Sequence, residues 1–207
     1  MTLYEGSVRV PLVMTGPGIR RGQRLPNLVS LIDVCPTFIE MGGLAAQEGL
    51  DGESLLPLAM GQTEASRDWA LACFMGCTFN TSGYMLRKGR YKYVAYVGYA
   101  PQLFDIENDP GELVDLSETL PGIVRQLDSE LRGILDYEQT HQDWTAYCKS
   151  AFGQWRRQAQ RGLYVDASYA LRNAPSNDYW KIMDNAFTGY NQEDERKVIG
   201  WLGHDVG

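Results

Sequence analysis

Apolar and polar positions alternate between residues 83 and 113 in the manner of β-strands. Tyr84–Arg87 forms one run, and a turn centred on Gly89 leads into a second run, Tyr91–Val97, which is rich in aromatic and β-branched residues. A third run, Gln102–Ile106, ends at a segment whose Asp, Pro and Gly residues favour a tight turn. With Trp69–Phe74 as a first strand, the pattern predicts a small antiparallel sheet.

Successive side chains of the Tyr91–Val97 run point to opposite faces of this sheet. One face receives Tyr91, Tyr93, Ala95 and Val97, and the other receives Lys92, Val94 and Tyr96. Residues 117–136 instead have the spacing of an amphipathic helix. Its apolar stripe contains Ile123, Leu127, Leu131, Ile134 and Leu135, and we expect this helix to lie across the sheet.

Two elements are predicted in the first 45 residues. Val8–Met14 has the apolar character of a strand entering a core, with Pro11 marking an edge or a bulge. Asp33 is placed to cap a short helix that Gly42 and Gly43 end, and Val34, Phe38 and Met41 would form its buried face. Further along, Leu55–Leu58 is expected to pack against a larger domain.

Composition and charge narrow the function classes. The chain has 207 residues with 44% hydrophobic content, enough for a core in one or two domains. Its net charge is −7, and residues 101–207 carry 10 basic and 18 acidic side chains. This acidic half argues against nucleic acid and anionic membranes as partners. No apolar run is long enough for a membrane span, and no signal peptide is expected at the N-terminus.

Three stretches resemble the sulfatase family, in the family's order. They are Leu3–Leu12 (LYEGSVRVPL), Leu28–Thr37 (LVSLIDVCPT, preceded by the GPGI of residues 16–19) and the strand pair with its LFDIENDPGEL continuation up to Leu113. The resemblance implies an α/β fold: the C-terminal fragment of an alkaline-phosphatase-like sulfatase fold, with a small antiparallel sheet and a packed helix. The expected segments are 1–65 as the end of the catalytic domain, 66–136 as the sheet subdomain and 137–207 as a helical or irregular tail.

The catalytic groups of the family have no counterpart in this sequence. Sulfatases use a formylglycine made from a C/S-x-P-x-R motif as nucleophile, together with a calcium ion. Cys35 is followed directly by Pro36, and no C/S-x-P-x-R motif occurs. The resemblance therefore implies that calcium and formylglycine belong to an N-terminal part outside this chain. No catalytic residue is assigned, and the chain alone is predicted to be inactive.

The resemblance also implies a substrate class and candidate contacts. Residues 76–87 and 92–96 are similar to a subgroup that acts on a 2-sulfated uronate, so the expected partner is a sulfated saccharide or small molecule. Family loops that follow the first strand of the small sheet border the active-site cleft. Met75, Cys77 and Asn80 are therefore candidate substrate contacts, although the subgroup has His in place of Met75, and an ordinary surface loop is the alternative. Arg9 is either a contact near the cleft or an ion-pair partner of Glu5.

Two other functions are considered. One is another hydrolase of the same superfamily, a phosphodiesterase or a phosphonate monoester hydrolase. The other is a non-catalytic module that binds a sulfated glycan or a partner protein. The basic residues near the hairpin turn either steer a sulfated sugar by long-range attraction or form the solvated end of the hairpin: Arg87, Lys88, Arg90 and Lys92.

Self-association through exposed apolar surface is also expected, from Leu12, Val13, Phe38 and Met41. Sulfatases are typically lysosomal, secreted or periplasmic.

Overall fold

The computed structural model describes residues 2–45, 47–64, 67–75 and 81–160. The chain divides into two compact units. The first contains residues 1–75 and 81–137; the second contains residues 76–80 and 138–207, of which 138–160 are described. The three-segment division made from the sequence stays a prediction, and the tail beyond residue 160 lies outside the described residues. The helices are α1 (Glu5–Val8), α2 (Val34–Met41), α3 (Leu56–Met60), α4 (Pro121–Ile134) and α5 (Tyr137–Gln160).

The predicted antiparallel sheet is confirmed. Its strands are β1 (Trp69–Met75), β2 (Ser82–Lys88), β3 (Tyr91–Tyr96) and β4 (Tyr99–Asp105), and they lie in sequence order with every neighbour antiparallel. Gly89 and Gly98 have φ values of 53° and 80°, a backbone region that glycine enters without steric cost. These glycines explain why the β2–β3 and β3–β4 connections are tight.

One face of the sheet packs against α4, as the sequence predicts. Tyr84, Leu86, Tyr93 and Leu103 are buried there against the helix residues Leu127 and Leu131. The helix begins four residues later than expected, because residues 116–120 form turns and Pro121 occupies the first helical positions. Tyr93 and Ala95 are buried on this face, as the alternation of side chains along β3 predicted.

A hydrogen-bonded carboxylate ties the helix to the sheet. The hydroxyls of Tyr93 and Tyr137 donate to Asp128 Oδ1 at 2.8 and 2.7 Å, and Arg132 Nε donates to Oδ2 at 2.7 Å. Burial raises the pKa of Asp128, but the hydrogen bonds from Arg132, Tyr137 and Tyr93 outweigh burial, so the pKa lies below its usual value. Tyr137, the last residue of the first unit, is thereby held against α4 and β3.

The opposite face of the sheet is covered by the N-terminal residues. Leu3 is buried among Phe74, Met85 and Val94, with Val8 packed at the margin. The ring of Tyr4 lies 5.7 Å from that of Phe104. Both faces of this small sheet are thus apolar and covered, which explains the burial of consecutive residues along β2 and β3.

A fully buried lysine fixes the N-terminal residues to the sheet. Lys92 of β3 is 0% exposed, and its Nζ lies 2.7 Å from Glu112 Oε1 and 3.1 Å from Glu5 Oε1. The backbone N–H of Glu5 donates to Glu112 Oε2 at 2.6 Å. Glu112 is itself 3% exposed and has a left-handed backbone, with φ of 54°. The two carboxylates compensate the ammonium and bring three distant segments together. We refer to these residues as the Lys92 triad.

The turn after β4 is organised by Asp105. Its carboxylate accepts hydrogen bonds from Arg90 and from the backbone and side-chain nitrogens of Asn108. The Arg90 hydrogen bond is the main cause that lowers the pKa of Asp105 to about 2; partial burial opposes it and Asn108 adds to it. The chain that follows this turn brings the Glu112 carboxylate into contact with the Lys92 ammonium.

The predicted strand Val8–Met14 is wrong. Residues 5–8 form the short helix α1, and residues 9–14 belong to no strand. A strand needs a neighbour for its backbone N–H and C=O groups, and none of the described strands pairs with this segment. Val10, Leu12 and Val13 are consequently exposed.

The predicted helix after Ser30 is confirmed as α2, but its predicted buried face is wrong. Thr37 is its buried residue, whereas Phe38 and Met41 are 66% and 53% exposed. The Thr37 hydroxyl donates to Asp33 O and accepts from Leu55 N–H, so this polar side faces the segment that leads into α3. In that segment Leu55 and Leu58 are buried.

Asp33 does not cap α2 in the expected way. Its carboxylate accepts from the backbone of Ser30 and Glu53, and it pairs with Arg67 at 2.6 Å. The interaction with Ser30 closes a capping box around the 3-10 turn Leu31–Asp33 that precedes α2. The carboxylate therefore joins three segments instead of ending one helix.

Replacing Lys92 should destabilise the protein far more than replacing Arg9, although both side chains pair with Glu5. Lys92→Met leaves the Glu112 carboxylate buried and uncompensated, which is expected to lower the free energy of unfolding by about 3–5 kcal/mol. Arg9→Met removes an exposed pair and should cost less than about 1 kcal/mol. Urea unfolding measures both. In the double variant Lys92→Met/Glu112→Gln the loss should be smaller than the sum of the single losses; additive losses would contradict the coupling.

The stability of the fold should depend on pH through Asp105. Because its folded pKa is about 2 and its ordinary value is 3.8, its contribution is present above pH 3.8 and is lost as pH falls towards 2. Asp105→Asn should flatten the decline in unfolding free energy across that interval, measured by urea unfolding at each pH. Arg90→Gln should raise the folded pKa of Asp105 towards 3.8, and the decline should therefore become narrower and smaller. An unchanged pH profile in both variants would contradict this assignment.

Candidate functional site

Arg9 lies directly after α1, at the edge of the Lys92 triad. Its Nη1 is 3.8 Å from Glu5 Oε2, and its side chain is 64% exposed. The ion pair with Glu5 that the sequence offered as one alternative is therefore present. Because most of the guanidinium remains accessible, the arrangement also leaves it able to meet an anionic ligand. A substrate contact at Arg9 stays a prediction.

The other candidate contacts lie at or beyond the end of β1. Met75 is the last residue of β1 and pairs with Ser82 of β2. The alternation of the strand puts Met75 on the face opposite Phe74, whereas Val8, next to Arg9, packs on the Phe74 face. Cys77 and Asn80 lie outside the described residues. Arg9 and Met75 are thus associated with different faces of the sheet.

The basic residues around the β2–β3 turn all contact acidic or carbonyl groups within the chain. Lys88 Nζ lies 2.7 Å from Glu130 and 3.4 Å from Asp68, and its pKa is raised chiefly by the hydrogen bond to Glu130. Arg87 donates to the Tyr91 carbonyl at 3.1 Å, and burial lowers its pKa. With Arg90 paired to Asp105 and Lys92 buried, each of the four has an internal partner. Lys88 and Arg90 nevertheless keep 35% and 41% of their side-chain surface exposed, so the glycan-steering patch and the solvated hairpin end both stay predictions.

A second buried ion pair lies in the first unit, beside a cavity of about 200 Å³. Arg67 Nη2 contacts Asp33 Oδ2, both side chains being nearly inaccessible, and the guanidinium lies 5.0 Å above the ring of Trp69. Ser54 and Thr63 add hydroxyl groups to the cavity wall. Since Asp33 neutralises Arg67, the cavity has no unbalanced charge from this pair with which to attract an ion.

Sequence reasoning missed the Lys92 triad and Arg67. The available signal for the triad was the position of Lys92 among the inward-facing residues of β3, next to Val94 and Tyr96 on the same face. A lysine at such a position requires acidic partners. The Ser30-x-x-Asp33 spacing was a comparable signal for the capping box. Neither signal identifies the distant partners, which are Glu5 and Glu112 for Lys92 and Arg67 for Asp33.

The residues present do not fit a sulfatase metal centre. Among the described residues, no group of three or more His, Cys, Asp or Glu side chains could hold a metal ion. The sequence also lacks a C/S-x-P-x-R motif, and Cys35 and Cys73 are free thiols. No helix of the described part is long and apolar enough to cross a membrane. We therefore derive no step through calcium or formylglycine from these residues.

The chain is similar in sequence to known sulfatases. Residues 1–137 match the family model described as N-sulphoglucosamine sulphohydrolase, C-terminal. Mouse arylsulfatase K is 41% identical over 167 residues, which cover 76% of this chain and 30% of the mouse protein. Chicken arylsulfatase K is 38% identical over 212 residues, covering 95% of this chain and 39% of the chicken protein. The chain therefore spans about 30–39% of the length of these curated relatives.

Solved structures of sulfatases are also similar to this chain. BT1596, described as a 2-O GAG sulfatase, aligns with a TM-score of 0.54 and 28% identity, over 62% of this chain and 29% of its own. A putative sulfatase from Bacteroides thetaiotaomicron gives 0.53 and 28% over the same shares. A phosphonate monoester hydrolase from Silicibacter pomeroyi, at 20% identity, shares the fold alone.

These matches confirm the fold class and the family inferred from the three sequence stretches. The described part is an α/β structure whose four-stranded antiparallel sheet and packed helix correspond to the C-terminal part of alkaline-phosphatase-like sulfatases. Sulfatases are sulfuric ester hydrolases that generally use calcium and formylglycine. The chain belongs to the sulfatase family, and it corresponds to the C-terminal region of those enzymes.

Proposed function

We propose that this chain is the C-terminal part of a sulfuric ester hydrolase that acts on a sulfated saccharide, with a 2-sulfated uronate as the substrate class. The observation that carries the proposal is the 41% identity to mouse arylsulfatase K across three quarters of the chain. The likeness in structure to BT1596, a 2-O GAG sulfatase, supports the same position of the sulfate.

We propose that the candidate residues of this chain bind the substrate and do not themselves break the sulfate ester bond. The exposed guanidinium of Arg9 is a suitable donor to a sulfate or carboxylate oxygen, since its planar fork matches such anions. Met75, Cys77 and Asn80 are proposed as further contacts from the end of β1 and the residues after it. Glu5, held by Lys92, fixes the backbone from which Arg9 projects.

We propose that the groups that catalyse hydrolysis lie outside this chain. The formylglycine and the calcium ion would be supplied by the N-terminal part of the enzyme, because neither the nucleophile motif nor a described metal-ligand cluster is found here. Without a nucleophile, orientation of the substrate alone does not break the sulfate ester.

The isolated 207-residue chain is therefore expected to show no turnover. The measurement is release of fluorophore from 4-methylumbelliferyl sulfate, and of sulfate from a disaccharide that carries a 2-sulfated uronate, against a heat-denatured control. Turnover above that control would refute the assignment of catalysis to another part.

A chimera tests the binding role. Mouse arylsulfatase K in which this chain replaces the matched C-terminal region is expected to hydrolyse the 2-sulfated uronate disaccharide. In the chimera Arg9→Ala should raise KM by about 10-fold or more, because a charge-assisted hydrogen bond contributes about 1.5–3 kcal/mol. Arg125→Ala, on the exposed side of α4, is the matched control and should leave KM unchanged. If the Arg9→Ala and Arg125→Ala chimeras have the same KM, Arg9 does not contact the substrate.

A further inference from the structure

The carboxylate of Glu5 lies between two positively charged side chains. Its Oε1 is 3.1 Å from Lys92 Nζ, and its Oε2 is 3.8 Å from Arg9 Nη1. The side chain of Lys92 has no exposure, whereas that of Arg9 is 64% exposed. The two cations therefore compete for one carboxylate, Lys92 from the interior of the first unit and Arg9 from its surface.

The buried cation holds Glu5 more strongly than the exposed one. The attraction between opposite charges grows as their separation shortens and as water is excluded, and both conditions favour Lys92. The 3.8 Å contact with Arg9 is too long for a direct hydrogen bond, and its exposure leaves it screened by salt. An anion from solution can consequently replace Glu5 at the guanidinium of Arg9.

The backbone of Glu5 is held independently of its side chain. Its N–H donates to Glu112 Oε2 at 2.6 Å, while Glu112 Oε1 lies 2.7 Å from Lys92 Nζ. Glu112 therefore fixes where residue 5 lies, and Lys92 determines which way the Glu5 carboxylate turns. Lys92, Arg9, Glu5 and Glu112 together carry two positive and two negative charges.

The other cation near this group does not share the carboxylate. Arg87 is the cross-strand partner of Lys92, and burial lowers its pKa although Glu5 acts to raise it. Its Nη1 donates to the Tyr91 carbonyl at 3.1 Å, and within the described part of the chain it forms no ion pair with Glu5. Without the Lys92 ammonium, Glu5 would therefore turn to Arg9.

We propose that Lys92 is a positioning residue for substrate binding. By holding Glu5, it prevents that carboxylate from neutralising Arg9 and leaves Arg9 available to an anionic group of the substrate. This inference rests on the proposed function, in which Arg9 binds a sulfate or carboxylate oxygen of a sulfated saccharide. Lys92 has no access to solvent, so it acts through Glu5 and does not touch the substrate.

Two variants separate this role from the contribution of Lys92 to stability. Lys92→Met alone is a poor test, because an uncompensated Glu112 in the interior destabilises the fold. The double variant Lys92→Met/Glu112→Gln removes one charge of each sign and keeps a side-chain oxygen that can accept from the Glu5 N–H. The triple variant adds Glu5→Gln. It differs from the double variant only in lacking the carboxylate that competes for Arg9.

The chimera with mouse arylsulfatase K shows the effect in KM. The double variant should raise KM for the 2-sulfated uronate disaccharide by about 10-fold, because Glu5 then occupies the charge-assisted hydrogen bonds of Arg9. Its kcat should stay within about 2-fold, as expected when binding alone is weakened. The triple variant should restore KM to within about 3-fold of the unsubstituted chimera, since Arg9 is free again.

A purely structural role of Lys92 predicts a different result. The double and triple variants would then have equal KM values, or kcat would fall together with the rise in KM, and either outcome overturns the proposal. Arg125→Met, which removes an exposed positive charge on α4, is the control for net charge and should leave KM unchanged. A rise in KM equal to that of the double variant would also contradict the proposal.

Titration of the isolated 207-residue chain with inorganic sulfate measures the same effect without turnover. The side-chain N–H resonance of Arg9, followed by NMR, should shift with sulfate, with a dissociation constant about 10-fold higher in the double variant than in the unsubstituted chain. The triple variant should restore the dissociation constant. Equal dissociation constants in the three proteins, or no shift of Arg9 in any of them, would overturn the proposal.

Failure of this inference is distinguishable from failure of the proposed function. A chimera that hydrolyses the disaccharide with equal KM in the double and triple variants leaves the function standing and refutes the role of Lys92. A chimera that hydrolyses no sulfate ester refutes the function, and the sulfate titration of the isolated chain then decides whether Lys92 governs the anion affinity of Arg9.

Discussion

The burial of one ammonium group determines how the first unit is assembled. Lys92 has no access to water, and a buried charge without compensation would cost several kcal/mol. Glu112 and Glu5 supply that compensation from the turn after β4 and from α1, and the Glu5 N–H completes the contact. The position of α1 on the sheet, and of Arg9 just after it, therefore follows from an electrostatic requirement of β3.

The same physics shapes the surface between residues 10 and 44. Asp33 and Arg67 form the second buried pair, and hydrogen bonds at Asp33 draw Thr37 and Leu55 together. Hydrophobic burial is the larger force in general, yet it is non-directional, whereas an unpaired buried polar group carries a definite penalty. The polar network therefore decides which side of α2 faces inward, and Phe38 remains outside.

How far the sequence predicted the fold depends on how local each signal is. The strands β1–β4 and the face occupied by Tyr93 and Ala95 follow from alternation within a few residues, and they were predicted correctly. The strand at Val8–Met14 and the buried face of α2 were wrong because each depends on contacts with residues distant in sequence, and local periodicity does not report such contacts. The Lys92 triad was missed for the same reason: Glu5 is 87 residues from Lys92, and periodicity does not report such pairs.

The geometry of the candidate site also depends on contacts between residues that are far apart in the sequence. Only the Glu5 contact of Arg9 was anticipated, as one of two alternatives, and the structure forms it through the four-residue spacing at the short helix α1. That Glu5 also binds Lys92 means that the N-terminal residues and the small sheet share one carboxylate. A substitution in β3 can thereby displace Arg9 without touching a ligand. The small sheet is consequently the support that orients Arg9, the proposed substrate contact, through the carboxylate of Glu5.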